Sequence, residues 1–163
     1  MDYLVNLYSQ RLDALGARVG SVEATIRVAL PPELHVIQRF VRGQFSEYWV
    51  SEVTIAMGHQ PPRCLVAIVD GVLVGFACHD TTARGFFGPT GVAPDHRGKG
   101  IGLALLFHAL KAMKTRGYAY AIIGAAGPAT FYSQAVGAVP IAADGEDIYK
   151  GLLRIKPQTQ TEP

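Results

Sequence analysis

Two spacings of apolar residues alternate along the 163-residue chain, and the switches between them lay out its elements. Leu4, Leu7, Tyr8, Leu12 and Leu15 share one face at helical spacing, which predicts a helix over Tyr3–Leu15 closed by Gly16. Ala24–Leu30 alternates like a strand, and Pro31-Pro32-Glu33 then opens a helix to about Val41, since a first turn tolerates proline. Phe45–Ala56 returns to helical spacing. Asp70-Gly71 lies between Ala67-Ile68-Val69 and Val72-Leu73-Val74, a strong hairpin signal that sets Val69 opposite Val72. Counting outward puts Cys64 opposite Ala77. Strands Leu65–Val69 and Val72–Cys78 are apolar on both faces, so a helical layer must cover each side of the sheet.

The next strand, Arg84–Val92, is interrupted by Gly85, Gly88, Pro89 and Gly91. Proline donates nothing to a ladder and glycine marks bulges, so this strand bends from a neighbour and leaves a gap in the sheet. Ile101–Met113 follows as the strongest helix, with Ile101, Leu105, Leu106, Leu110 and Met113 inward and Gly117 as its stop. Tyr118–Ile123 is then a strand, parallel to Arg84–Val92 by the right-handed crossover rule. Ala129–Val136 is a short helix stopped by Gly137, and a last strand pair is expected over Ala138–Ile141 and Ile148–Ile155. Residues 1–155 form one domain in this reading, with an extra helix in residues 1–20. Lys156–Pro163 is expected to be a polar, disordered tail.

With 49% hydrophobic and 17% charged residues, a chain of this length has enough apolar mass for a single core. A net charge of +2, with basic residues scattered, argues against a nucleic-acid partner. No apolar run approaches the roughly 20 residues of a membrane span. Met1-Asp2-Tyr3 also lacks the basic start of a signal peptide, so a cytoplasmic location without membrane contact is expected. Cys64 and Cys78 fall on opposite faces in the predicted register, and reduced thiols follow. Neither has metal-ligand spacing around it, so no metal site is expected.

The densest chemistry lies in Arg97-Gly98-Lys99-Gly100-Ile101-Gly102, between a strand end and a helix start. A helix start leaves about four N–H groups unpaired and carries roughly half a positive charge, which suits a phosphate. Gly98, Gly100 and Gly102 remove the Cβ atoms that would hold a bulky anion away, while Arg97 and Lys99 add charge. A triphosphate loop is excluded because Gly98-Lys99 is followed by Gly100 and Ala93 stands five residues before Gly98. A dinucleotide fingerprint is excluded because Leu103 stands where its third glycine belongs. What remains is R-x-x-G-x-G, read as Arg97 to Gly102 after a strand end at Gly91-Val92, and it resembles the pyrophosphate loop of the GNAT acyl-CoA N-acyltransferases.

The order of elements from about Ala24 to Leu153 is similar to the same family. The resemblance implies an α/β (α+β) GNAT fold: a mixed central sheet with helices on both faces and a splayed parallel strand pair, here Phe86–Val92 and Tyr118–Ala125. It implies acetyl-CoA as cofactor, its pantetheine arm beside Thr90, Gly91 and Val92 and its phosphates on Arg97, Gly98, Lys99, Gly100, Ile101 and Gly102. Phe131-Tyr132 resembles the family segment whose tyrosine protonates the departing thiolate, which makes Tyr132 the candidate acid. Ala125 stands where many members carry Asn. An alkyl amine near pKa 10.4 costs about 4.6 kcal/mol to deprotonate at neutral pH, so a base is useful. Glu52 is the candidate base, with Trp49, His79 and Asp80 as acceptor contacts. The reading is an N-acetyltransferase in which a small-molecule or peptide amine attacks the thioester directly. The alternative is a non-catalytic acyl-CoA sensor. The apolar Ile148–Ile155 segment is a candidate homodimer surface.

Overall fold

The computed structural model describes residues 1–156. Seven strands form one sheet in the order β2-β3-β4-β5-β6-β1-β7, where β1 is Tyr3–Asn6, β2 Thr25–Val28, β3 Cys64–Val69, β4 Val72–His79, β5 Phe86–Val92, β6 Tyr120–Ile123 and β7 Val139–Pro140. The β5–β6 pair is parallel, as the crossover rule requires, and the other pairs are antiparallel. Helices α1 (Gln10–Val19), α4 (Ile101–Thr115) and α5 (Ala129–Val136) cover one face, while α2 (Leu34–Gln44) and α3 (Glu47–Met57) cover the other. The central strands feed both layers by alternation: Leu65 and Ala67 face the first core, Cys64 and Val66 the second. Among the described residues no helix is long and apolar enough to cross a membrane.

The predicted N-terminal helix divides into a strand and a later helix. Tyr3–Asn6 pairs with β6, the Asn6 side chain accepts the Tyr8 N–H at 2.9 Å, and Ser9 caps a new helix by accepting from Arg11 N–H. The leucine spacing is continuous across that break because Leu7, Leu12 and Leu15 enter the same core. Two side chains that compete for backbone hydrogen bonds therefore override the helical period. Gly16 sits inside α1 and does not end it, for a Cβ there would lie 2.8 Å from the Phe107 ring of α4.

The hairpin forms with Val69 opposite Val72, but the register shifts between Ala67 and Ile68. That shift puts Cys64 opposite Cys78, not Ala77, and returns both cysteines to the same core layer. Both are free thiols, and burial pushes the Cys78 thiol well above its usual value. The last strand pair is also corrected. β7 has two residues and pairs with β1, whereas Ile148–Ile155 runs through turns, with Asp147 Oδ1 accepting the Tyr149 N–H at 2.9 Å. Asp144, Gly145 and Asp147 favour that turn over a strand, and the expected dimer strand is not formed. Of the expected tail, 157–163 lies outside the described residues.

A buried polar cluster closes the end of β4. Asp80, at φ +58°, accepts the Gly85 N–H at 2.8 Å and the His79 Nδ1–H at 2.9 Å, with Arg63 Nη1 at 3.6 Å. Burial alone would raise the Asp80 carboxyl, but hydrogen bonds from Gly85, Tyr118 and His79 hold it below its ordinary value. Burial also pushes the His79 imidazole down, against the opposing pull of Asp80, so the pair is a neutral histidine donating to a carboxylate. Both groups bind protons more weakly folded than unfolded. Their contribution is complete above the ordinary histidine value of about 6.5 and is lost as pH falls through the folded values, His79 first and Asp80 last. Urea midpoints should accordingly decline on acidification, and Asp80→Ala should cost about 3 kcal/mol by orphaning its donors. Chemical denaturation of both proteins across that pH range checks this.

Candidate active site

β5 and β6 pair only at Phe86 with Ile122 and Phe87 with Ile123. Gly88 then takes φ +116° and Pro89 has no N–H, so β5 stays with β4 while β6 diverges. The predicted gap follows, and the backbone of Thr90, Gly91 and Val92 lines it. This cavity, of about 590 Å³, runs along the opened edge of β5 to the start of α4.

Gly98 and Gly100 sit at φ +76° and +79°, a left-handed conformation that glycine adopts without penalty. Gly100 begins α4 with no side-chain cap. The first-turn N–H groups, which lack intrahelical acceptors by geometry, thus belong to residues that line the cavity: Gly100, Ile101, Gly102 and Leu103. A Cβ on Gly102 would meet Val92 and Phe131, across the same cavity, at 3.8 and 3.9 Å. Arg97 Nε donates to the Val92 carbonyl at 3.0 Å, tying the loop to the end of β5. An uncapped helix start, glycine-lined and flanked by Arg97, fits a phosphate group. Lys99 lines a neighbouring depression with Ser21, Glu23 and His96 and is absent from this cavity's lining.

A second cavity, of about 330 Å³, adjoins the first, and Thr90, Pro128 and Tyr132 line both. Tyr132 is 8% exposed and wedged edge-on between Phe87 and Phe131, at centroid distances of 6.2 and 5.0 Å. Burial raises its phenol above the ordinary value, so the hydroxyl stays protonated at the junction. Glu52 and Trp49, one turn apart on α3, line the second cavity as the spacing suggested. The Thr82 hydroxyl donates to the Glu52 carboxylate, while the Thr81 hydroxyl donates to the Gly88 carbonyl at 3.0 Å and lies 3.5 Å from Glu52 Oε1. Trp49 stacks on Phe45 at 4.9 Å.

His79 and Asp80 are not brought to either cavity. They are buried in the cluster that fixes the β4–β5 connection, which carries Thr81 and Thr82. Sequence reasoning missed Tyr149, which reaches the second cavity from the irregular C-terminal segment and pairs with Thr82. It also missed Phe45, whose ring lies where a Gly91 Cβ would stand. No periodicity marks either position. Ala125 takes φ +44° and donates its N–H to Asp2 Oδ1 at 2.9 Å, so the N-terminal segment braces the loop after β6.

The site is thus defined by a mixed α/β sheet opened between parallel strands, with a glycine-lined helix start at the opening. The chain belongs to the GNAT acetyltransferase family, whose model matches residues 31–136. Among solved structures it is similar to a glucosamine N-acetyltransferase region of a fungal multi-domain GH3 β-N-acetylglucosaminidase, with 19% identity over 83% of this chain and 19% of that one, TM-score 0.66. A GNAT-type N-acetyltransferase from Sphaerobacter thermophilus gives 21% identity over 85% and 47%, TM-score 0.61. A ribosomal-protein-alanine N-acetyltransferase from Brucella melitensis biovar Abortus 2308 gives 20% identity over 81% and 99%, TM-score 0.55. The chain thus spans about a fifth of the first, about half of the second and nearly all of the third. No curated sequence matches it.

The cavity wall yields a direct test. A Cβ on Gly91 would stand 2.3 Å from the Phe45 ring, which is packed against Phe40, Trp49 and Phe76 and has little room to move. Gly91→Ala is expected to destabilise the fold by about 1–3 kcal/mol through overpacking. It should also shift Trp49 fluorescence, because that ring stacks on the displaced one; thermal melts and emission spectra read the two effects.

Proposed function

We propose that the protein transfers an acetyl group from acetyl-CoA to a primary amine by direct attack within a ternary complex. The observation that carries this reading is the junction: a cavity that reaches the glycine-lined start of α4 and a second cavity lined by Glu52 and Trp49 both have Tyr132 in their walls. In this assignment acetyl-CoA supplies the activated thioester. The first-turn N–H groups of α4 hold its phosphates, with Arg97 and, at longer range, Lys99 adding positive potential. The opened backbone of Thr90–Val92 offers hydrogen bonds to an extended, amide-bearing arm, as a strand edge does to a peptide.

Tyr132 then acts as the acid. As nitrogen bonds to the acyl carbon and the carbon–sulfur bond breaks, the phenol donates its proton to sulfur. A thiol of pKa about 8.5 leaves with little assistance, so this proton contributes modestly. Glu52 holds the amine's charge and receives or relays its proton, its carboxylate held by the Thr82 hydroxyl. Neither cysteine serves as a nucleophile in this scheme, in keeping with the raised Cys78 thiol.

Tyr132→Phe should lower kcat by about 10- to 100-fold while leaving acetyl-CoA affinity within about twofold, since the ring contacts with Phe87 and Phe131 survive. Thiol-release kinetics and calorimetric titration measure the two quantities. Binding of acetyl-CoA without thiol release for any amine would favour the sensor reading.

A further inference from the structure

We propose that the acceptor is a small primary monoamine carried on an aromatic or otherwise apolar body, with no acidic group of its own. This deepens the amine-acetylation reading above and rests on it. The chemistry of the second cavity selects the class. Its walls are more apolar than polar, with Trp49, Phe86, Phe87, Pro89 and Ile123 among the side chains that line it. Glu52 is its one charged side chain among the described residues, and neither lysine nor arginine lines it.

That distribution discriminates among amines by what their remaining groups would meet. A carboxylate, as in an amino acid, would enter beside Glu52 with no cation to receive it. A second ammonium, as in a polyamine, would be desolvated without a second carboxylate. An amino sugar would lay hydroxyls against the apolar side chains of Trp49, Phe86, Phe87, Pro89 and Ile123. Thr82 donates to Glu52 and pairs with Tyr149, and Thr90 donates to the Phe76 carbonyl at 3.0 Å. A flat apolar body has matching partners. The Trp49 ring is fixed by stacking on Phe45 at an interplanar angle of 29°, and Tyr149 closes the cavity from the C-terminal segment. The ammonium is then held between Glu52 and the face of an aromatic ring.

The test uses the full chain with acetyl-CoA and a thiol-release assay on 2-phenylethylamine, phenylalanine, spermidine and glucosamine. The phenylethylamine kcat/KM should exceed each of the others by at least tenfold. Glu52→Gln should lower it by about tenfold or more and narrow its lead over phenylalanine, without changing the KM for acetyl-CoA. If phenylalanine, spermidine or glucosamine matches or beats phenylethylamine, the acceptor class is wrong while N-acetylation stands. If no amine supports thiol release, both readings fall.

Discussion

A parallel strand pair that cannot remain paired is the constraint from which the rest of this structure follows. β5 and β6 are held together at Phe86 and Phe87, and in the next two residues Gly88 turns to φ +116° and Pro89 contributes no N–H. Elsewhere in a sheet, unsatisfied backbone edges are a liability to be covered or charged. Here the opened edge faces a cavity. The uncapped start of α4 opens onto the same space, so a strand edge without a second neighbour and a helix start without a side-chain cap converge on one groove.

Such an opening would close if its walls could move, and the packing on both faces prevents this. α4 buries Ile101, Leu105, Leu106, Leu110 and Met113 in one core, with α1 pressed close enough that Gly16 has the Phe107 ring against it. On the other face Phe40, Phe45, Trp49 and Phe76 form an aromatic block whose edge reaches Gly91. The β4–β5 connection is pinned by Asp80, and through Thr82 that connection sets the Glu52 carboxylate. Rigidity in the scaffold is what lets the site keep empty space lined by polar backbone.

The parts legible in the sequence were those whose signal is local. The hairpin at Asp70-Gly71, the glycine stop after α5, the bend at Gly88-Pro89 and the loop at 97–102 are each encoded within a few residues by backbone conformations that glycine or proline alone supplies readily. The misreadings share a different origin. Residues 3–15 read as one helix because a strand and a helix, feeding the same core, left a continuous apolar period; the break depended on Asn6 and Ser9 competing for backbone groups. The cysteine register failed by one bulge, and one residue suffices to reverse every side chain beyond it. His79 and Asp80 looked like acceptor contacts because a polar pair at a strand end commonly faces a site; here the surrounding donors turned it inward.

The two halves of the site differ in the same way. The half proposed to hold phosphates is lined mainly by one stretch, residues 90–103, so its spacing is legible without the rest of the fold. The acceptor half is assembled from side chains at Trp49, Glu52, Thr82, Phe86, Ile123 and Tyr149, on five separate segments that only the folded chain brings together. No window of sequence contains that cavity. Its charge balance, one carboxylate among apolar walls, is a property of the assembly, and it can change through a single side chain without disturbing either core. A stable scaffold whose second cavity is lined by a few side chains can change that lining without changing its architecture, which is why similarity at about 20% identity carries the fold and not what the site accepts.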